Sequence, residues 1–167
     1  MPGVDPAGQQ TWENFLEAAL RVNGALNRAL VEAHGLTLQD VRMLAILSSS
    51  ETGSARMGDL ADQLLALPSG VTRQVRRLEQ AGLVRREASP EDGRGVHAYI
   101  TNYGSEVVAA AFLTYSEVVQ QRFLSPLNRG QMSKLGITCQ RISDALKTVP
   151  GGKGHQRSQL RSAVPSA

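Results

Sequence analysis

The 167-residue chain predicts a mainly α-helical fold carrying one small β-hairpin. Three observations lead there. Apolar residues recur at three- and four-residue steps through most of the chain, residues 57–101 read as helix, turn, helix and hairpin, and period-two alternation is confined to residues 83–88 and 96–101. The composition, 41% hydrophobic and 20% charged, is that of a folded chain rather than a disordered one.

Residues 1–10, with their Pro and Gly, are expected to form a flexible leader. From residue 11 to 35 a helix is predicted, because Trp12, Leu16, Ala19, Leu26 and Leu30 fall at alternating four- and three-residue steps with Asn23 filling the polar one. Phe15 and Val22 flank that stripe, more apolar surface than one packing partner requires, so this helix is expected to join two subunits. Gly35 can adopt the left-handed conformation that closes it.

The second helix has a legible start. Thr37 can cap it, Asp40 stands where a capping-box acid belongs, and Leu36 can pack on Val41 as a hydrophobic staple. Val41, Leu44 and Ala45 continue a buried face until Ser48-Ser49-Ser50, and residues 51–55 are expected to be a loop. Met57, Leu60, Ala61 and Leu64 mark a short third helix, and Pro68 suits the first turn of a fourth.

In that fourth helix Val71, Val75 and Leu78 face inward, which leaves Ser69, Gly70, Thr72, Arg73, Gln74, Arg76 and Arg77 outward. Nearly all of these can bond phosphates or base edges. Ala81-Gly82 ends the helix, and a hairpin follows with Asp92-Gly93 as its two-residue turn and Arg94 at the tip.

A fifth helix is expected from Ser105, its cap, with Val108, Ala111, Phe112, Tyr115, Val119 and Phe123 on one side. Ser125-Pro126 breaks it, Asn128 can cap a last helix, and Leu135, Cys139, Ile142 and Leu146 form that helix's stripe. Residues 105–149 thus hold the C-terminal helices, and residues 150–167 are expected to be a disordered basic tail.

The net charge of +3 is modest, but between Ser69 and Arg86 five arginines (Arg73, Arg76, Arg77, Arg85, Arg86) face one acid, Glu79. Such a stripe attracts a polyanion, and a helix pair followed by a basic hairpin is how one small domain reaches two grooves of duplex DNA. Neither a metal nor a cofactor is expected, since His34, His97 and His155 are scattered and Cys139 is the lone cysteine. The lack of a nucleophile elbow, phosphate loop or metal pair argues against an enzyme. No apolar run approaches the roughly 18 to 20 residues of a membrane span, and the first residues lack signal-peptide order, so a cytoplasmic location is expected.

With these elements placed, the chain resembles the MarR (multiple antibiotic resistance regulator) family of winged helix-turn-helix transcription factors. The resemblance is carried by Leu36-Thr37, Leu60-Ala61, Val71-Thr72-Arg73, Leu78-Glu79, residues 82–86, Asp92-Gly93-Arg94, Ile100-Thr101 and Gly104, spanning a lobe of residues 36–104. It implies a homodimer, built through the terminal helices, whose fourth helix enters the major groove while Arg94 reaches the minor groove. It also implies that Asp92 orients arginines near the hairpin tip, and that Arg73 and Arg77 are the basic outward positions. A repressor released by a small ligand, aromatic ones among the candidates, is implied as well, with Trp12, His34, Arg42, Met43 and Tyr115 as candidate ligand contacts. Two departures are visible: Gly93 stands where the family often has a basic residue, and the turn Leu65-Ala66-Leu67-Pro68 lacks the glycine often found there. Two other readings stay open, a thiol-based redox sensor using Cys139 and a winged helix used only for protein contacts.

Overall fold

A computed structural model describes residues 1–88 and 95–147 of the chain. Asp92, Gly93 and Arg94, the expected hairpin tip, and residues 150–167, the expected tail, lie outside the described residues. Residues 1–126 form one compact unit and a second begins at Leu127.

The first unit opens with helix α1, Pro6–His34, which starts five residues before the expected point. The reason is local: the Asp5 side chain accepts from Gly8 N at 2.6 Å and Pro6 takes the first helical position, a cap-and-proline start. Residues 6–10 are therefore helix rather than leader. Gly35 closes α1 at φ 66°, as its type suggests.

Helix α2, Leu38–Ser48, carries both halves of the Thr37/Asp40 capping box. The expected loop after it contains a short strand, β1 (Ser54–Arg56), followed by α3 (Met57–Leu64) and α4 (Pro68–Gln80). Strands β2 (Val84–Ala88) and β3 (Val96–Ile100) pair antiparallel with Arg86 opposite Ala98, and β1 adds to the free edge of β3 with Ala55 opposite Ala98, giving the order β1-β3-β2. The expected in-out alternation of the hairpin does not hold. β2 buries only Val84, at its inner end, and is exposed from Arg85 onward, while β3 buries only its middle residue, Ala98, with His97, Tyr99 and Ile100 half-buried around it.

Helix α5 spans Asn102–Val118 and is capped by Thr101 rather than Ser105: Gly104 N donates to Thr101 Oγ1 at 2.9 Å. A π-helical segment, Val119–Leu124, follows it. The core joins Leu26 and Leu30 of α1 to Val41, Met43, Leu44 and Leu47 of α2, Leu60 and Leu64 of α3, Val71, Val75 and Leu78 of α4, and Val108 and Ala111 of α5. Gly104 is required by closeness: a Cβ there would stand 2.1 Å from the Leu83 carbonyl oxygen, so the first turn of α5 packs directly on the backbone leading into β2.

In the second unit, α6 spans Arg129–Lys147. Its start is a reciprocal cap, with Gln131 N donating to Asn128 Oδ1 and Asn128 N to Gln131 Oε1, both at 2.9 Å. None of its residues is buried, so Cys139, expected as a small buried hydrophobe, is an exposed thiol. Among the described residues no helix is long and apolar enough to cross a membrane.

Candidate nucleic-acid interface

The helix pair is built around the turn at residues 65–67. Leu65 ends α3 in the left-handed region at φ 53°, taking the conformation a glycine would adopt more cheaply, and Ala66 N returns to Ala61 O at 2.9 Å. Pro68 then occupies the first turn of α4, and Val71, Val75 and Leu78 are wholly buried against the lobe.

The opposite face of α4 is the one the sequence singled out. Ser69, Arg73 and Arg76 are exposed, while Gly70, Thr72 and Gln74 are half-buried. Thr72 spends its hydroxyl proton on Pro68 O at 2.9 Å. Arg73 makes no hydrogen bond or ion pair among the described residues, which leaves its five N–H donors for a partner.

Arg77 and Gln74 are different. Both donate to Oδ1 of Asp40, whose side chain is fully buried, Gln74 Nε2 at 3.0 Å and Arg77 through Nη2. Oδ2 of the same carboxylate accepts from Thr37 N at 2.8 Å and Thr37 Oγ1 at 2.6 Å. Burial alone would raise the Asp40 carboxyl, but the hydrogen bonds from Arg77, Thr37 and Gln74 outweigh it and hold the group below its ordinary range. Arg77, expected as a free outward cation, is in fact a tie between α4 and α2, with half of its side chain still exposed.

The other arginines of the stripe are partnered in a similar way. Arg86 grips Glu79, through Nε to Oε2 at 2.8 Å and its backbone N to Oε1 at 3.1 Å, and so fastens β2 to the last turn of α4. Those bonds keep the Glu79 carboxyl below its usual range. Arg85 pairs with Glu87 and lies over the Tyr99 ring, 4.4 Å from its centroid. Thr101 Oγ1 donates to Gly82 O at 2.8 Å, closing the base of the hairpin. The even basic stripe of the sequence therefore resolves into structural ties plus a smaller free set around Arg73 and Arg76. Asp40 escaped the sequence reading because its capping role already accounted for an acid at that position.

The candidate ligand residues separate. An open cleft of about 330 Å³ between α1, α2 and the end of α5 is lined by Val22, Asn23, Leu26, Leu38, Arg42, Tyr115, Val119 and Phe123. Arg42 and Tyr115 are thus brought together. Met43 is fully buried in the core, because it lies about 100° round α2 from Arg42, on the face turned inward. Trp12 is 48% exposed near the start of α1 beside Phe15, and His34 bonds Thr114 Oγ1 at 2.9 Å, so neither lines the cleft.

Comparison with known proteins matches residues 34–95 to the MarR family model, a span that runs from the end of α1 through the helix pair and β2 and stops just before β3. Over those residues the chain is similar to the MarR family. The MarR-family regulator AbsC of Streptomyces coelicolor is 28% identical, covers 88% of this chain and 99% of its own, and superposes with a TM-score of 0.81. Sco3205, a MarR-family regulator of the same organism solved in complex with DNA, is 29% identical with a TM-score of 0.82, covering 87% of this chain and 95% of its own. Among curated relatives, the transcriptional repressor MdtR of Bacillus subtilis is 26% identical over 118 residues, 71% of this chain and 74% of MdtR. The proteins it is similar to are transcriptional regulators, one of them solved on DNA, and the chain shares their winged helix-turn-helix fold.

Proposed function

We propose that this protein is a cytoplasmic, homodimeric transcriptional repressor that reads a near-palindromic operator and is released by a small aromatic acid. The observation that carries the operator reading is α4 itself. It buries Val71, Val75 and Leu78 and turns Ser69, Arg73 and Arg76 outward beside the hairpin, an outward set rich in groups that bond phosphate and base edges. In this reading Gly70 lets the backbone approach the duplex, Thr72 extends the contact surface, Gln74 and Arg77 border it while held by Asp40, and Asp92 and Arg94 act at the hairpin tip. Repression follows the relatives, since MdtR and the Pseudomonas putida protein IacR are both named as repressors.

A homodimer is supported by the apolar surface left open on the terminal helices. Trp12, Phe15, Leu16 and Leu20 of α1, in the first unit, and Ile137, Ile142 and Leu146 of α6, in the second, are all exposed, so each unit leaves apolar side chains open to a partner. The ligand reading rests on the cleft, where the Arg42 guanidinium offers a carboxylate partner and Tyr115 and Phe123 offer ring faces.

Enrichment of bound duplexes from a random library tests the reading directly. The enriched sequence is expected to be a near-palindrome with half-sites about 10 bp apart, bound with an affinity that falls steeply with salt. Salicylate or benzoate added to that complex should release the DNA, and Arg42→Ala should abolish the release. Binding indifferent to salt would favour a winged helix used for protein contacts.

A further inference from the structure

The Asp40 carboxylate does more than a helix cap requires. A capping acid needs only the Thr37 bonds, and such acids normally sit at solvent-exposed helix starts. Here the side chain is fully buried, and its second oxygen crosses to α4 to hold two residues three positions apart, Gln74 and Arg77. Two anchors on one helix fix both its roll and its position along its axis. The apolar contacts of Val71, Val75 and Leu78 are non-directional and cannot do so alone. Two positions before Asp40 the start of α2 is itself anchored, since Leu38 N donates to Asn27 Oδ1 of α1 at 3.0 Å. The carboxylate therefore refers the orientation of α4 to a rigid part of the lobe.

We propose that Asp40 is a positioning residue for operator discrimination: through Gln74 and Arg77 it sets the roll and register of α4, and it keeps the Arg77 guanidinium from acting as an unrestrained phosphate contact. The proposal rests on the reading of α4 as the DNA-reading helix. It assigns base discrimination to the orientation of that helix and not only to the side chains at its surface.

The test uses the full chain and its Asp40→Asn variant. The probes are a duplex enriched by the parent protein from a random library and a scrambled duplex of the same composition. Both proteins are compared at a temperature where circular dichroism shows them folded. The ratio of affinities for enriched over scrambled duplex should fall roughly ten-fold or more in D40N, the size of losing one well-read base pair. Binding to the scrambled duplex should be kept or strengthened, with a salt slope steeper by about 1.8, about 0.9 for each protomer's Arg77 released onto phosphate. Adding Arg77→Met to D40N should restore the parent slope without a further fall in the ratio. A variant with a lowered Tm but an unchanged ratio would make Asp40 a helix cap alone and overturn the proposal. If D40N does not fold, R77M replaces it: a ten-fold fall in the ratio supports the proposal, and an equal loss on both duplexes, marking Arg77 as a plain phosphate contact, overturns it. A parent protein that enriches no duplex removes the operator reading together with this one, whereas enrichment with an unchanged ratio in the variants removes this one alone.

Discussion

Helices α4 and α6 carry the same kind of apolar stripe, yet they end in opposite states. Val71, Val75 and Leu78 of α4 are wholly buried, whereas no residue of α6 is buried and Leu146 is 71% exposed. Helix α1 contains both outcomes along one length: Leu26 and Leu30 lie in the core, and Trp12, Phe15, Leu16 and Leu20 remain open. Periodicity therefore reports that a face wants to be covered, and nothing about whether this chain covers it. The lobe around α2 to α4 closes its own core. The open faces are where the proposed second copy would gain apolar contact.

Substitutions sharpen that contrast, beginning inside the lobe. Gly104→Ala should cost the most, roughly 3 to 4 kcal/mol, because its Cβ would meet a backbone carbonyl that cannot turn aside. Urea melts of the full chain measure it, and a loss below about 1 kcal/mol would show that α5 can shift away from Leu83 at little cost. Leu44→Ala should cost about 3 kcal/mol by leaving a cavity in the core. Its counterpart Leu146→Ala should change monomer stability by less than about 0.5 kcal/mol while weakening self-association in sedimentation velocity. Equal effects of these two leucines would erase the distinction between closed and open faces.

Acid probes the polar part of the lobe. The Asp40 carboxyl is held below its ordinary value, so its contribution is complete above the unfolded value near 3.8 and is lost as pH falls through the lower folded value. Stability measured from about pH 5 down to about pH 2 should drop, and Asp40→Asn should flatten that limb. A variant with the parent's acid profile would assign the drop to other carboxylates. The smallest stability effect is expected from Arg73→Ala, less than about 0.5 kcal/mol because the side chain is exposed, together with a clear loss of affinity for the enriched duplex.

Much of the lobe was legible because its signals are local. Thr37 and Asp40 lie within one turn of each other, Gly35 and Gly82 adopt the left-handed conformation where their helices stop, and Pro68 occupies a first turn that needs no N–H. The start of α1 was equally local, in Asp5-Pro6, and was masked only by the Pro and Gly content around it. Thr101 likewise precedes Gly104 at cap spacing, but Ser105 offered a competing cap. What the sequence by itself determined is therefore the set of α-helices, the inward faces of α2 to α4 and the outward identity of Ser69, Arg73 and Arg76. Tertiary structure decided the rest. A strand of three residues such as β1 exists only because β3 offers an edge over forty residues away, and the alternation of β2 loses its meaning once the strand leaves the core. The pairing of Arg77 with Asp40, and the gathering of Arg42 with Tyr115 around one cleft, join groups 37 and 73 positions apart. Hydrogen bonds and burial of that kind depend on distance in space, and a linear pattern carries no measure of it.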